Sequence, residues 1–491
     1  MLLTLLLLCV VVWSIFLLYY ISYRGFIVLL IWFLIGPLLP NFLSRDRANP
    51  FFQTTSEYEE SREGIRLMKR HFRNNDNAGM NSDSVDLRQL LDPTRTLLMI
   101  FALVFLLEAL VKRRTIGPLD HAEMWMLAFF TGLILSIFLQ SERLHYSMRI
   151  ALNAFMVPFL AYFVVRRLVR HETHMRKLIQ VIGYLAAYLI VIGFVERLSH
   201  PALFYRISGP FRDEGVYYMV LVVAFLLTMS DAFSRRAYSR IQPALPSWLT
   251  WYVLCCAPIG IVLTMERGNW VGFLSSTFVL GFLGHRLVSE SRRISVIGII
   301  CMLMPIVIVS VALLTPETYV EGRIGYSRSV QGRLLTWQVA IQEGLKNPLL
   351  GIGFNNIREV LVRNAVVWDG IRSYSSVHNS YIALLTEQGL VGLFLFLAIL
   401  ASIFRMGLRL YRRGLGLQER WRGAAVIALL AAYMMPSLFA SKLHLPDTWN
   451  TVLIYSFWGG ISGLYSHGYY ARRYPIVVPS APTSASTSAS T

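Results

Sequence analysis

Two residues stand where chemistry could be carried out at the edge of an apolar stretch. His378 lies in Ser376-Val377-His378-Asn379-Ser380-Tyr381, directly ahead of a long apolar run, and Arg267 lies in Thr264-Met265-Glu266-Arg267-Gly268, directly after another. An imidazole titrates near neutrality, so beside a hydroxyl it can take up the proton released during nucleophilic attack. A guanidinium keeps its charge and offers phosphate oxygens a planar fork of donors. Plainer duties suit the same residues: an interfacial histidine at a helix start, and an arginine snorkelling to a membrane surface. Paired carboxylates of glycosidase type, a P-loop and a Gly-x-Ser-x-Gly elbow are absent, which removes support for hydrolysis and nucleotide-driven pumping. Cys9, Cys255, Cys256 and Cys301 fall inside apolar runs with no CxxC pair and no His/Cys grouping, so neither a disulfide framework nor a metal site is expected, and no cofactor.

The elements that must position these residues are membrane helices. Of 491 residues, 55% are hydrophobic and 15% charged, against roughly 25% charged in soluble domains. Met1–Tyr20, Ala122–Leu139, Leu178–Val195, Trp248–Thr264, Ile294–Leu314 and Tyr381–Phe404 approach the ~20 apolar residues that cross a bilayer as a helix. Lipid offers backbone amides no partners, so the expected class is all-α, a polytopic integral membrane protein with about twelve spans. The count is thirteen if Thr96–Val111, interrupted by Glu108, also crosses. Met1–Tyr20 lacks a basic leader and is followed at once by Phe26–Leu39, so a retained hairpin is expected, not a signal peptide.

The net charge of +18 is scattered over short connections and reads as positive-inside bias and contact with anionic lipid, not nucleic-acid binding. Arg166–Lys177, Ser234–Arg240, His285–Arg293 and Arg405–Arg422 are the basic connections expected on the cytoplasmic side. Alternation then sends Glu196–Gly215, Glu266–Asn269, Pro316–Asn379 and Ser441–Thr448 to the opposite face. The chain divides into an N-terminal hairpin (1–40), a polar loop (41–95), a bundle (96–315), a large outer loop (316–379), C-terminal helices (380–470) and a Pro/Ser/Ala/Thr tail (471–491) expected to be disordered. Within the large loop, Leu334, Trp337, Ile341 and Leu345 recur at near-helical spacing, which predicts an amphipathic helix on the membrane or over the bundle mouth. Asn347-Pro348 stops it, and Gly351-Ile352-Gly353 reads as a tight turn. Tyr326 and Tyr374 offer faces of the kind that stack on sugars.

The compound pattern Gly332-Arg333, Trp337, Ala340, Asn347-Pro348, Gly351-Ile352-Gly353, then His378-Asn379-Ser380-Tyr381 and Glu387-Gln388-Gly389-Leu390-Val391-Gly392 resembles the O-antigen ligase and polymerase superfamily. The likeness is good over roughly Leu263 to Phe404. It implies a GT-C-like membrane glycosyltransferase, metal-independent and inverting, that takes a glycan from a polyprenyl-diphosphate carrier to a lipid or glycan acceptor. The expected place is the outer face of the bacterial cytoplasmic (inner) membrane. The resemblance casts His378 as activator of the acceptor hydroxyl and Arg267 as diphosphate ligand. It also looks for a second phosphate-binding arginine in Tyr205–Gly215, where Arg206 and Arg212 both qualify, and Asp213-Glu214 departs from the usual Pro-Asn. Glu266 departs as well, standing where a small hydroxyl residue usually precedes the arginine. Arg333 is assigned to orienting the loop helix through its spacing to Trp337. A ligase is the first reading and a surface-polysaccharide polymerase the second. A transporter or flippase of lipid-linked sugars would instead need charges deep within spans, where Glu108 is the clearest.

Overall fold

The computed structural model describes residues 26–34, 97–104, 118–141, 144–199, 206–209, 214–236, 244–287, 327–363, 367–368, 372–373, 377–439 and 449–473. The expectations for Met1–Tyr20, Asn41–Arg95, Glu108, Ile294–Leu314, Arg212, Tyr326, Tyr374, Cys9, Cys301 and the tail fall outside them. Residues 26–34 and 97–104 are helical, and the described helices beyond them are α1 (His121–Gln140), α2 (Leu144–Leu168), α3 (Glu172–Ser199), α4 (Glu214–Arg236), α5 (Ser247–Leu263), α6 (Arg267–His285), α7 (Ser327–Gly344), α8 (Ile357–Arg363), α9 (Ser380–Arg413), α10 (Leu417–Ser437) and α11 (Trp449–Arg473). Five of them, α1 to α4 and α9, are long and apolar enough to cross a membrane, which makes this a multi-pass membrane protein. The all-α expectation is qualified by one two-residue antiparallel pair, Val367–Trp368 with Arg372–Ser373.

The helix ends next to the four basic segments converge at one end of the bundle. Phe233 of α4 stacks on Trp421, with ring centroids 5.3 Å apart, and the Tyr411 hydroxyl donates to the Leu283 carbonyl at 3.1 Å. Arg422 grips the Glu172 carboxylate with both amino groups, joining the starts of α10 and α3. Several of these basic residues are helical, not loop: Arg166 and Arg167 close α2, and Arg405–Arg413 close α9. At this same end a buried charge cluster fixes the start of α1. Glu123 receives both Arg166 and Arg167, while Asp120 caps the helix and accepts the hydroxyls of Tyr162 (2.7 Å) and Ser462 (2.6 Å).

The opposite end gathers the remaining termini. The Ile207 amide donates to the Leu263 carbonyl at 3.3 Å, and Asn269 Nδ2 donates to the Glu214 carbonyl at 3.3 Å. Tyr381 of α9 donates its hydroxyl to the Met434 carbonyl of α10 at 3.2 Å. The start of α4, the turn between α5 and α6, the start of α9 and the end of α10 therefore share this end.

The expected uninterrupted span Tyr381–Phe404 is corrected in one respect. Helix α9 runs 34 residues, to Arg413, and is broken at Gly389, whose φ of 63° and ψ of −166° suit only a residue without a Cβ. Breaking a helix strands its backbone groups, and here the glycine turn of the large loop takes them up. Ile352 and Gly353 donate to the Thr386 and Glu387 carbonyls at 2.9 and 3.0 Å. Leu390 and Val391 donate to the Pro348 and Leu349 carbonyls at 2.8 and 3.2 Å. The two motifs therefore form one joint. A Cβ on Gly351 would lie 2.5 Å from the Glu387 carbonyl carbon, so both sides of the joint need glycine.

The loop helix is present, and the face it packs on the protein is built of small residues. Gly332, Thr336, Ala340 and Gly344 are buried, and the Thr386 hydroxyl donates to the Ala340 carbonyl at 3.0 Å. Leu334, Ile341 and Leu345 of the predicted apolar stripe face outward, and only Trp337 is partly buried. The partner of α7 is the backbone of α9, to which small residues allow close approach, so the leucines are left on the outside.

Candidate functional site

His378 is the last residue but one before α9. Its neighbours are fixed on both sides: Trp337 Nε1–H donates to the Val377 carbonyl at 2.8 Å, and Asn379 caps α9, its Oδ1 accepting the amides of Tyr381 and Ile382 at 3.0 and 3.1 Å. Between these anchors His378 adopts φ 52°, a left-handed conformation that a non-glycine residue holds only when its surroundings enforce it. The ring is half-buried. Burial first, and the positive charge of Arg333 second, hold its pKa below the ordinary histidine value, so near pH 7 the imidazole is neutral and able to accept a proton.

Arg267 opens α6 and is exposed. The turn ahead of it is tightly held: Met265 has φ 52°, the buried Thr264 hydroxyl donates to Ile261 at 2.7 Å, and the Trp270 indole donates to Val262 at 3.2 Å. A Cβ built on Gly268 would stand 3.8 Å from the Pro436 carbonyl oxygen, while Tyr381, three residues after His378, bonds to Met434. The chain segments that carry Arg267 and His378 thus both reach the final turn of α10.

Arg206 pairs with Glu214 at 2.7 Å, both side chains partly exposed. Beside it, Glu196 is only 4% exposed. Its carboxylate accepts the amides of Ser208 (3.3 Å) and Gly209 (2.7 Å), holding the strand of chain that carries Arg206. Asn269, bonded to the Glu214 carbonyl, links this segment to the start of α6. A narrow crevice with little more room than a water molecule lies where these ends meet, lined by Tyr218, Met219, Asn269, Tyr433, Pro436 and Thr451.

The structure therefore brings Arg206, Arg267 and His378 to one end of the bundle, with Trp337 fixed directly beside His378 and Arg333 close enough to shift its charge. Among the described residues no three His, Cys, Asp or Glu side chains are grouped to hold a metal ion. Sequence reasoning missed Glu196, which has no motif and reads as a charge at the end of an apolar run. It also missed the structural duty of Glu387, whose Oε1 accepts the Ile357 amide at 3.3 Å and so starts α8. Its place in the Glu387-Gln388-Gly389 motif was the available signal. Residues 251–397 match the family model described as O-antigen ligase, a stretch that holds Arg267, Arg333, Trp337 and His378 and excludes Arg206 and Arg212. No curated protein matches the chain.

Proposed function

We propose that this chain, which residues 251–397 place in the O-antigen ligase superfamily, transfers a glycan from a polyprenyl-diphosphate carrier to an acceptor hydroxyl. The transfer takes place at the outer face of a bacterial cytoplasmic membrane. The acceptor oxygen attacks the anomeric carbon, its proton passes to the His378 imidazole, and the bond to the diphosphate breaks with the electron pair leaving on the phosphate. Arg267, with Arg206 or Arg212, holds the donor diphosphate and the charge it gains as it departs. Attack opposite to a departing diphosphate inverts the anomeric centre. Protein cations do the work that a divalent ion would otherwise do, so the step is metal-independent. Trp337 and Arg333 orient the loop: the first ties α7 to the residue before His378, the second keeps the imidazole unprotonated.

The observation that supports this reading most is that His378 and Arg267, both within the matched stretch, stand at helix starts whose neighbouring residues Tyr381 and Gly268 reach the same final turn of α10. The recipient separates a ligase, which caps a lipid A core, from a polymerase, which extends another lipid-linked repeat. Deleting the gene in its host and analysing lipopolysaccharide, secreted polysaccharide and lipid-linked intermediates tests this. Polymer accumulating on the carrier with an uncapped core supports the ligase, whereas accumulating single repeats supports the polymerase. Full rescue by His378→Ala would overturn the mechanism and favour a transporter.

A further inference from the structure

The turn after α7 carries an apolar surface that the catalytic reading does not use. Leu345, Leu349 and Leu350 are 68%, 62% and 57% exposed, and the same turn is bonded through the Pro348 and Leu349 carbonyls to Leu390 and Val391 of α9. Leu390, Val391 and Phe394 are also exposed, so leucines of the loop and of the helix form one continuous outward face. Three leucines projecting into water from a loop rich in Glu343, Lys346 and Asn347 would have no physical reason to be there.

The level of this turn along the membrane normal follows from helix lengths. The part of α9 after Gly389 has about 24 residues and is roughly 36 Å long, enough by itself to cross a hydrocarbon core of about 30 Å. Residues 380–389 therefore stand beyond the core, and the break marks its edge. Helix α1, 20 residues and about 30 Å, ends at Gln140, whose carbonyl accepts Asn356 Nδ2 at 2.9 Å, and its Ser136 hydroxyl lies 3.1 Å from Gln388 Nε2. Two spans thus end at the height of the joint.

We propose that Leu345, Leu349 and Leu350 insert into the acyl boundary of the lipid leaflet at that end of the bundle. The turn is an interfacial anchor that sets the height of α7, and through the Trp337–Val377 bond that of His378, above the bilayer. Lys346 and Glu343, paired at 2.7 Å, sit on the water side of the anchor. The occupant is lipid because the turn that bears the patch is bonded to Leu390 and Val391, which with Phe394 are exposed on a helix long and apolar enough to cross the membrane. This inference depends on the fold and not on the reaction.

The test is spin labelling of the full chain in vesicles of phosphatidylethanolamine and phosphatidylglycerol. Cys9, Cys255, Cys256 and Cys301 are replaced by alanine and single cysteines placed at Leu345, Leu349, Leu350 or, as a reference, the exposed Gln342. The ratio of oxygen to nickel-chelate accessibility should be several-fold higher at the three leucines than at Gln342. Nickel access equal to the reference would overturn the anchor, and so would exclusion of both reagents, which would mean that protein, such as a second copy, covers the face. A wild-type counterpart needs no substitution: a photoreactive acyl-chain lipid should label the peptide around 345–350 together with 390–397. Labelling of the second without the first contradicts the proposal.

Discussion

Replacing Gly389 by alanine should open the joint between the large loop and α9 while leaving the rest of the bundle assembled. The new Cβ would stand 2.3 Å from both the carbonyl carbon and the oxygen of Leu349 and 2.6 Å from the Leu350 amide nitrogen. These are backbone atoms, so no side chain can swing aside and the turn must withdraw. Holding alanine at φ 63°, ψ −166° costs about 1–3 kcal/mol. Withdrawal also forfeits four interlocking backbone hydrogen bonds, each contributing on the order of 1 kcal/mol net. If about half of the bonding survives relaxation, the joint loses on the order of 3–5 kcal/mol, which raises its open population by roughly two to three and a half orders of magnitude. Hydrogen exchange read on peptides spanning 345–356 and 386–393 should lose that much protection, with peptides of α2 and α11 unaffected. Gly416→Ala is the control, since nothing lies within 4 Å of its Cβ position. Protection in Gly389→Ala equal to that in the control would refute the joint.

Three other substitutions probe separate parts of the account. Glu123→Ala leaves Arg166 and Arg167 buried without their shared carboxylate; a loss of about 3–5 kcal/mol is expected, read as failure to accumulate or a clearly lowered unfolding temperature, and unchanged stability would contradict the buried cluster. Glu196→Ala releases the Ser208 and Gly209 amides and should raise KM for the lipid-linked donor roughly tenfold or more with less effect on kcat, because it loosens the segment bearing Arg206 and touches no reacting atom; an effect on kcat alone would count against that role. Because burial and Arg333 depress the His378 pKa, the neutral base persists as pH falls through the ordinary histidine range near 6.5 and is lost only below it. Arg333→Gln removes the repulsive charge, so the acid limb of kcat/KM should move to higher pH, and a limb that stays put or moves lower would remove Arg333 from the control of His378.

The spans at Ala122–Leu139, Leu178–Val195 and Tyr381–Phe404 were legible because a run of about 20 apolar residues has few other uses, and the helix starts at Arg267 and Ser380 were legible because polar residues interrupt those runs. The break at Gly389 was not. Its apolar continuation, Leu390 to Leu400, reads as uninterrupted helix, and the groups that satisfy the break lie some 40 residues earlier in sequence, in the Pro348–Gly353 turn. The apolar stripe of α7 was legible as a stripe, but the face that meets the protein was not, because Thr336, Ala340 and Gly344 make that contact through their small size and carry no apolar periodicity. Of the candidate site, His378 and Arg267 could be found from type and position. Glu196 could not, since its role exists only once the chain at Ser208–Gly209 has folded back over it.

The central claim is tested most directly by purified protein in lipid vesicles, given a polyprenyl-diphosphate-linked glycan and hydroxyl acceptors, with wild type and His378→Ala compared in the presence of EDTA. Transfer by wild type with release of polyprenyl diphosphate, reduced at least ~10²-fold in a folded His378→Ala protein, is the predicted result. Wild-type rates in His378→Ala, or transfer that EDTA abolishes and a divalent ion restores, would contradict it.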